Sequence, residues 1–223
     1  MHRLETTMSS IEKTSPPLHG SRFPDILIPG WFSSHKLYER VVNSATNDSV
    51  LVELGSYFGE SAVYMGKLLQ ERELDAAFYT VDVMEWDDWM NEEAWYNTRQ
   101  EIRDHAWLVA NQGKNLEAII RFHLDKYGVE DRVRLIRGDS IETADRFAAD
   151  SVRFVYLDTT HTYTRVRNEI SAWHPKIEPG GIIAGDDFGR DDDNDGDVRR
   201  AVREAFNEYT TDGTTWYAVK SDG

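Results

Sequence analysis

The apolar positions of this chain fall into short blocks of two kinds, and their alternation sets the first expectation. Val50-Leu51-Val52-Glu53-Leu54 is a short apolar run bounded by turn formers, which suits a strand buried in a parallel sheet. Ala77 to Val83, Val133 to Arg137, Arg153 to Leu157 and Gly181 to Ala184 read the same way. Between them the pattern turns helical. Ser33 or Ser34 is placed to cap a helix carrying Leu37, Val41 and Val42 and ending near Asn47-Asp48; Ser61 to Gln70, Ile141 to Ala148, Tyr163 to Trp173 and Val198 to Tyr209 follow, with Val166, Ile170 and Trp173 on one face. Strands and helices in alternation predict an α/β, doubly wound fold: a mostly parallel sheet with helices on both faces.

Two segments depart from the alternation. Residues 1–24 hold Ser, Thr, Pro16, Pro17 and Gly20 without apolar period and read as a flexible tail, leaving 25–223 as a single domain. Between Asp82 and Val133 lies more chain than one crossover needs, so 84–128 reads as a helical insertion. It holds Trp86, Trp89, Trp95 and Trp107, then a helix with Leu116, Ile119, Ile120, His123 and Leu124 on one face, ended by Gly128. Such an insertion serves either as a substrate lid or as an aromatic layer packed on the sheet.

Composition narrows the partners. A formal net charge of -15 repels a phosphate backbone, and no basic run offsets it, so nucleic acid is not expected. No apolar stretch approaches a bilayer span, and the absence of cysteine excludes disulfides and thiolate chemistry. The expectation is a soluble, cytoplasmic protein with a small-molecule partner and no membrane role; a homo-oligomer is left open. The run Asp191-Asp192-Asp193-Asn194-Asp195-Gly196-Asp197 starts like a calcium loop but has Val202 at its twelfth position, so a solvated loop capping the next helix is the better reading.

The candidate chemistry lies at strand ends. Gly55 and Gly59 bracket the turn after the first strand, where backbone N–H groups and a helix amino terminus meet a ligand. Asp82 ends the next strand, at the position where dinucleotide folds contact a ribose hydroxyl. Ser56 and Tyr57 fill the place of the second glycine that a pyrophosphate requires, which counts against a nicotinamide-dependent oxidoreductase and for a ribose-bearing cofactor without a diphosphate. The segment from Leu51 to Val63 closely resembles the first motif of catechol O-methyltransferase and its class I relatives. The resemblance implies that Glu53, Gly55, Ser56, Tyr57, Gly59 and Ser61 shape a site for S-adenosylmethionine. Gly138-Asp139-Ser140 follows the third strand, where that class places polar groups against adenine; a plain helix cap explains Asp139 and Ser140 equally well. Ile28-Pro29-Gly30-Trp31-Phe32 resembles the opening segment of the same family.

A second signal is a pair of acidic pieces, Asp158-Thr159-Thr160-His161 and Asp186-Asp187, each at a predicted strand carboxyl end. Adjacent loops of an open parallel sheet converge there, so Asp158, Asp186 and Asp187 either meet and require a hard cation or merely cap their loops. The stretch from Asp158 to Phe188, with Glu178-Pro179-Gly180-Gly181, resembles the metal-dependent small-molecule O-methyltransferases grouped with macrolide and aminocoumarin sugar methylation. That resemblance implies Mg²⁺, or Mn²⁺ or Ca²⁺, on Asp158, Asp186 and Asp187, and a hydroxyl acceptor of sugar, natural-product or catechol type. His161, with an unperturbed pKa of about 6.5, is the candidate base, Asp158 sharing the catalytic centre and the cofactor site. Thr159-Thr160 departs from the family, which commonly has another acid there. Either His161 acts as the base, or metal-activated water suffices, or the chain binds the cofactor without catalysis. Folds of this class close on an antiparallel strand pair, yet only Thr214 to Lys220 reads as a strand after the last helix.

Overall fold

The computed structural model describes residues 22–28, 30–85, 115–189 and 196–221. The four tryptophans of the insertion, residues 1–21 of the tail, and Asp191 to Asp195 lie outside the described residues. The elements run α1 (His35–Ser44), β1 (Val50–Leu54), α2 (Glu60–Glu71), β2 (Ala77–Asp82), α3 (Leu116–Lys126), β3 (Val133–Arg137), α4 (Ser140–Thr143), β4 (Val152–Leu157), α5 (Tyr163–Trp173), β5 (Ile177–Gly185), α6 (Asp197–Ala205), β6 (Thr210–Asp212) and β7 (Thr215–Val219).

One seven-stranded sheet takes the order β3-β2-β1-β4-β5-β7-β6. The pairs among β1 to β5 are parallel and β7 is antiparallel to both its neighbours. The strand order reverses between β1 and β4, and a crevice opens there beyond the strands' carboxyl ends. The expected doubly wound fold is therefore the observed one.

Side chains of successive strand residues face opposite layers, as a period of two requires. Leu51, Phe78, Phe154, Tyr156 and Ile182 join Val41, Met65, Leu68, Ile120 and Leu124, so α1, α2 and α3 cover one face. Val52, Leu54, Val81, Val155, Leu157 and Ile183 join Val166, Ile170, Trp173 and Val202 beneath α5 and α6 on the other. Phe23, at the edge of the segment read as tail, stands edge-on to Tyr64 with ring centroids 5.3 Å apart.

Several boundaries differ from the sequence reading, each for a local reason. Ser34 precedes α1 but makes no side-chain cap; its buried Oγ instead shares hydrogen bonds of 2.6 Å with Tyr156 Oη and with Thr215 Oγ1, tying α1 to two strands. The expected helix 141–148 is one turn, α4, prolonged by a 3-10 turn over Ala144–Arg146. Its start is a true cap, with Asp139 Oδ1 accepting from Ile141 N at 2.8 Å and Glu142 N at 3.1 Å. The last helix ends at Ala205, which leaves room for β6, the short first member of the closing pair. Asp197 turns back from α6, its Oδ2 accepting from Tyr163 N at 2.9 Å and so satisfying the start of α5.

Trp173 ties α5 to the loop after β3, since its buried indole Nε1 donates to the Ser140 carbonyl at 2.8 Å. Replacing it with phenylalanine leaves that carbonyl without its donor. Trp173→Phe is expected to lower unfolding free energy by about 1–3 kcal/mol in urea denaturation.

Candidate active site

The turn after β1 is held by the ladder itself. Gly55 N donates to Val81 O at 2.8 Å, and Asp158 N donates to Leu54 O at 2.8 Å, so the β1 and β4 loops leave the sheet side by side. Gly55 has φ of 88°, and a Cβ there would stand 2.0 Å from the Asp158 carbonyl oxygen. Only glycine is accommodated. Tyr57, at φ of 44°, and Gly59, at 89°, complete the turn into α2.

Two open cavities meet at this point. One, of about 370 Å³, is lined by Gly55, Ser56, Tyr57, Ser61, Asp158, His161, Asp186 and Asp187, with Gly30 to Ser33, Glu60 and Thr214. The other, of about 380 Å³, shares Gly55, Tyr57 and Asp158 and extends past Asp82, Val83, Gly138, Asp139, Ser140, Thr159 and Arg165. Eleven of the thirteen candidate site residues thus face one crevice. Glu53 and Gly59 line neither cavity.

Glu53 is buried on the sheet, where Oε1 accepts from Tyr38 Oη at 2.9 Å and Oε2 from Thr80 Oγ1 at 3.0 Å. Burial pushes its carboxyl up to about 7, against the pull of hydrogen bonds from Ser61, Tyr38 and Thr80. It therefore supports Ser61 from behind the crevice wall. Asp82 braces the turn: Oδ2 accepts from Ser56 N at 2.9 Å and Ser56 Oγ at 3.2 Å, and Oδ1 from Met84 N at 2.7 Å.

On the second wall Asp139 Oδ2 accepts from Arg165 at 2.8 Å, and Ser140 is buried. Arg165 also reaches the buried Glu169, whose Oε1 accepts from Arg165 Nε at 2.9 Å, from Thr159 Oγ1 at 2.7 Å and from Ser140 Oγ. Burial raises the Glu169 carboxyl, and these hydrogen bonds oppose the rise. Glu169, Arg165 and Glu60 are singled out by no motif of the sequence that points to a site. Glu169 had a signal: it lies on the apolar stripe of α5 with Val166, Ile170 and Trp173, where a carboxylate is expensive without partners. Glu60 was legible only as a residue of the α2 amino terminus; it is buried at the cavity, with Oε2 3.4 Å from Phe32 N.

Asp158, Asp186 and Asp187 do converge on the first cavity. Asp186 Oδ1 accepts from Thr214 Oγ1 at 2.5 Å and from Asp187 N at 2.8 Å. Asp187, at φ of 59°, pairs its Oδ2 with His161 Nδ1 at 2.7 Å. His161 Nε2 stands 3.5 Å from Asp158 Oδ1, within reach of charge but too far for a well-formed hydrogen bond. Burial disfavours the imidazolium, yet Asp158 and Asp187 outweigh it and raise the ring to about 10. Burial and the neighbouring Asp186 and Asp187 raise Asp158 in turn, while His161 lowers it. Three carboxylates on one wall are the donor chemistry of a hard cation. Among the described residues, however, no three acidic or imidazole groups stand at metal-holding spacing, and Asp187 is paired with the His161 ring. The set fits a cation in kind, with one Asp187 oxygen shared with the imidazole.

The model of a methyltransferase-domain family matches residues 52–188, from the first strand through the Asp186-Asp187 loop. The chain belongs to that methyltransferase family. Its fold is shared with the O-methyltransferase NovP (TM-score 0.58, 19% identity, covering 84% of this chain and 79% of NovP). It is also shared with the O-methyltransferase TomG of Streptomyces achromogenes, involved in tomaymycin synthesis and solved with S-adenosylmethionine (0.53, 15%, 89% and 86%). An rRNA methylase from Streptococcus thermophilus is comparable (0.54, 13%, 86% and 98%). At such identities these likenesses carry the fold alone. No curated protein matches the chain by sequence. Among the described residues no helix is long and apolar enough to cross a membrane. The family decides for methyl transfer over the nicotinamide alternative.

The buried Glu53 gives the methyltransferase a pH signature. Below the ordinary carboxylate value of 4.5 the group is protonated folded or unfolded, and its contribution is fully present. Between 4.5 and about 7 the unfolded chain releases a proton that the folded chain keeps, so stability is lost progressively as pH rises to the folded value. Between pH 5 and pH 8 the wild type is expected to lose, relative to Glu53→Gln, on the order of 3 kcal/mol, read as a widening gap in thermal midpoints.

Proposed function

We propose that this methyltransferase transfers the methyl group of S-adenosylmethionine to a hydroxyl of a small molecule, of sugar, natural-product or catechol type, with the help of a divalent cation. The observation that carries the reading is the meeting of two cavities at Gly55, Tyr57 and Asp158. A cofactor with an adenosine end and an amino-acid end spans such a pair. In this reading the adenosine lies along Asp82, Val83 and Gly138 to Ser140, and the methionine along Gly55, Ser56 and Ser61. The sulfonium methyl then sits near the junction, facing the acidic wall.

The acceptor oxygen attacks that methyl in line; the new O–C bond forms as the S–C bond breaks, and sulfur keeps the electron pair. Holding both reactants aligned supplies several kcal/mol of the barrier reduction, on the order of 5–10. Asp158, Asp186 and Asp187 would hold Mg²⁺, Mn²⁺ or Ca²⁺. When bound, such a cation would supply positive charge that favours an ionised acceptor hydroxyl and offsets the Asp158 and Asp187 carboxylates beside His161. His161 would take the hydroxyl's proton at Nδ1, the nitrogen that faces Asp187, when that nitrogen is unprotonated. Thr159 and Thr160 have no acid to share that task. The net charge of -15 supports a small acceptor over an RNA strand.

S-adenosylmethionine, but not NADH, is expected to raise the thermal midpoint, and labelled cofactor should pass its methyl to members of a hydroxyl-acceptor panel. Excess chelator and Asp187→Ala should each cut turnover by about 100-fold or more while cofactor binding stays within a few-fold. Unchanged turnover in chelator removes the cation, label found in ribosomal RNA removes the small acceptor, and binding without any transfer removes catalysis.

A further inference from the structure

Two buried polar atoms have no hydrogen-bond partner among the described residues: His161 Nε2 and Glu169 Oε2. Both residues line the same small cavity of about 10 Å³, behind the acidic wall, together with Thr159, Thr160 and Val198. That volume is about what a single water needs, and a buried water is held where at least two polar groups face it. Glu169 is 0% exposed, so its second oxygen has no other route to solvent. Its first oxygen already takes three donors, from Ser140, Thr159 and Arg165.

We propose that one enclosed water joins His161 Nε2 to Glu169 Oε2, which makes Glu169 a positioning residue for methyl transfer, acting through His161. The water accepts from Nε2–H and donates to the carboxylate. With Nδ1 on Asp187 and Nε2 on the water, the imidazole is fixed at both nitrogens. Its plane then follows α5, which carries Glu169, as well as the β5 loop that carries Asp187. The role in transfer rests on the function proposed above; the link between the two side chains does not.

Glu169→Gln tests the link narrowly. The amide oxygen is expected to stay on the three donors, which places the NH2 group where Oε2 was and turns an acceptor toward His161 into a donor. Turnover at saturating cofactor and acceptor should fall about tenfold, with the KM for S-adenosylmethionine within a few-fold of wild type. Val198→Ile, which adds a methylene at the cavity wall and alters no polar group, should reproduce the fall. In a His161→Ala background neither substitution should lower turnover further. Independently of turnover, the ring ¹⁵N signals of His161, identified by their loss in His161→Ala, should move in both variants.

Additive losses in the double variants, or His161 signals unmoved in folded Glu169→Gln and Val198→Ile, overturn the proposal. Signals that move in a protein that transfers no methyl group sustain the link and overturn the enzymatic reading instead.

Discussion

The site depends on how closely two loops can leave a parallel sheet. The β1–β4 ladder does not stop at the strand ends: Asp158 N still donates to Leu54 O, and the Asp158 carbonyl occupies the space where any side chain at position 55 would begin. Gly55 is therefore fixed by contact as well as by its positive φ. The consequence is that Asp158 is positioned by sheet hydrogen bonds rather than by a loop of its own. Asp186 N continues the same rule on the next strand, donating to Leu157 O at 3.2 Å. Two of the three acids thus inherit the rigidity of the sheet, which is what alignment of two reactants requires.

The acid cluster carries its own cost. Carboxylates that share a cavity repel one another and resist burial, and here each is offset in a different way. Asp186 is met by a threonine hydroxyl and a backbone amide, Asp187 by the His161 ring, and Asp158 by the same ring at longer range. Asp187 and Tyr57 also adopt left-handed backbone conformations, uncommon for residues other than glycine, and both line the crevice. Charge and backbone strain concentrate where the proposed chemistry needs them.

The fold was legible because parallel strands and their helices carry strong periods, and the turn at Gly55 to Gly59 was legible because its glycines answer a steric demand. What the sequence concealed were choices between partners that spacing does not distinguish. Glu53 read as a ligand contact, yet an odd-even alternation that faces it toward Tyr38 and Thr80 puts it inside the sheet layer. Ser34 read as a cap, yet two hydroxyls from distant strands compete for its Oγ and take it. Asp139 could cap a helix or face the crevice, and it does both, because one carboxylate has two oxygens and each finds a different donor. The convergence of Asp158, Asp186 and Asp187 followed from topology, whereas the insertion of His161 between two of them did not.

The two cavities are not independent. Thr159 separates Asp158 from the Arg165–Glu169 pair and donates to Glu169, while Arg165 also holds Asp139 on the far wall. A change in the loop after β3 is therefore felt by α5 through Arg165, and by the β4 loop through Glu169 and Thr159, without any rearrangement of the sheet. Since the β4 loop also carries Asp158 and His161, the groups that would bind cofactor and those that would face acceptor share one short segment. Its geometry is set from three sides: the sheet at Asp158, α5 at Thr159, and the β5 loop at His161. A segment held in this way gains little from flexibility, so selectivity among acceptors is more naturally supplied by the loops that surround the crevice than by the acidic wall itself.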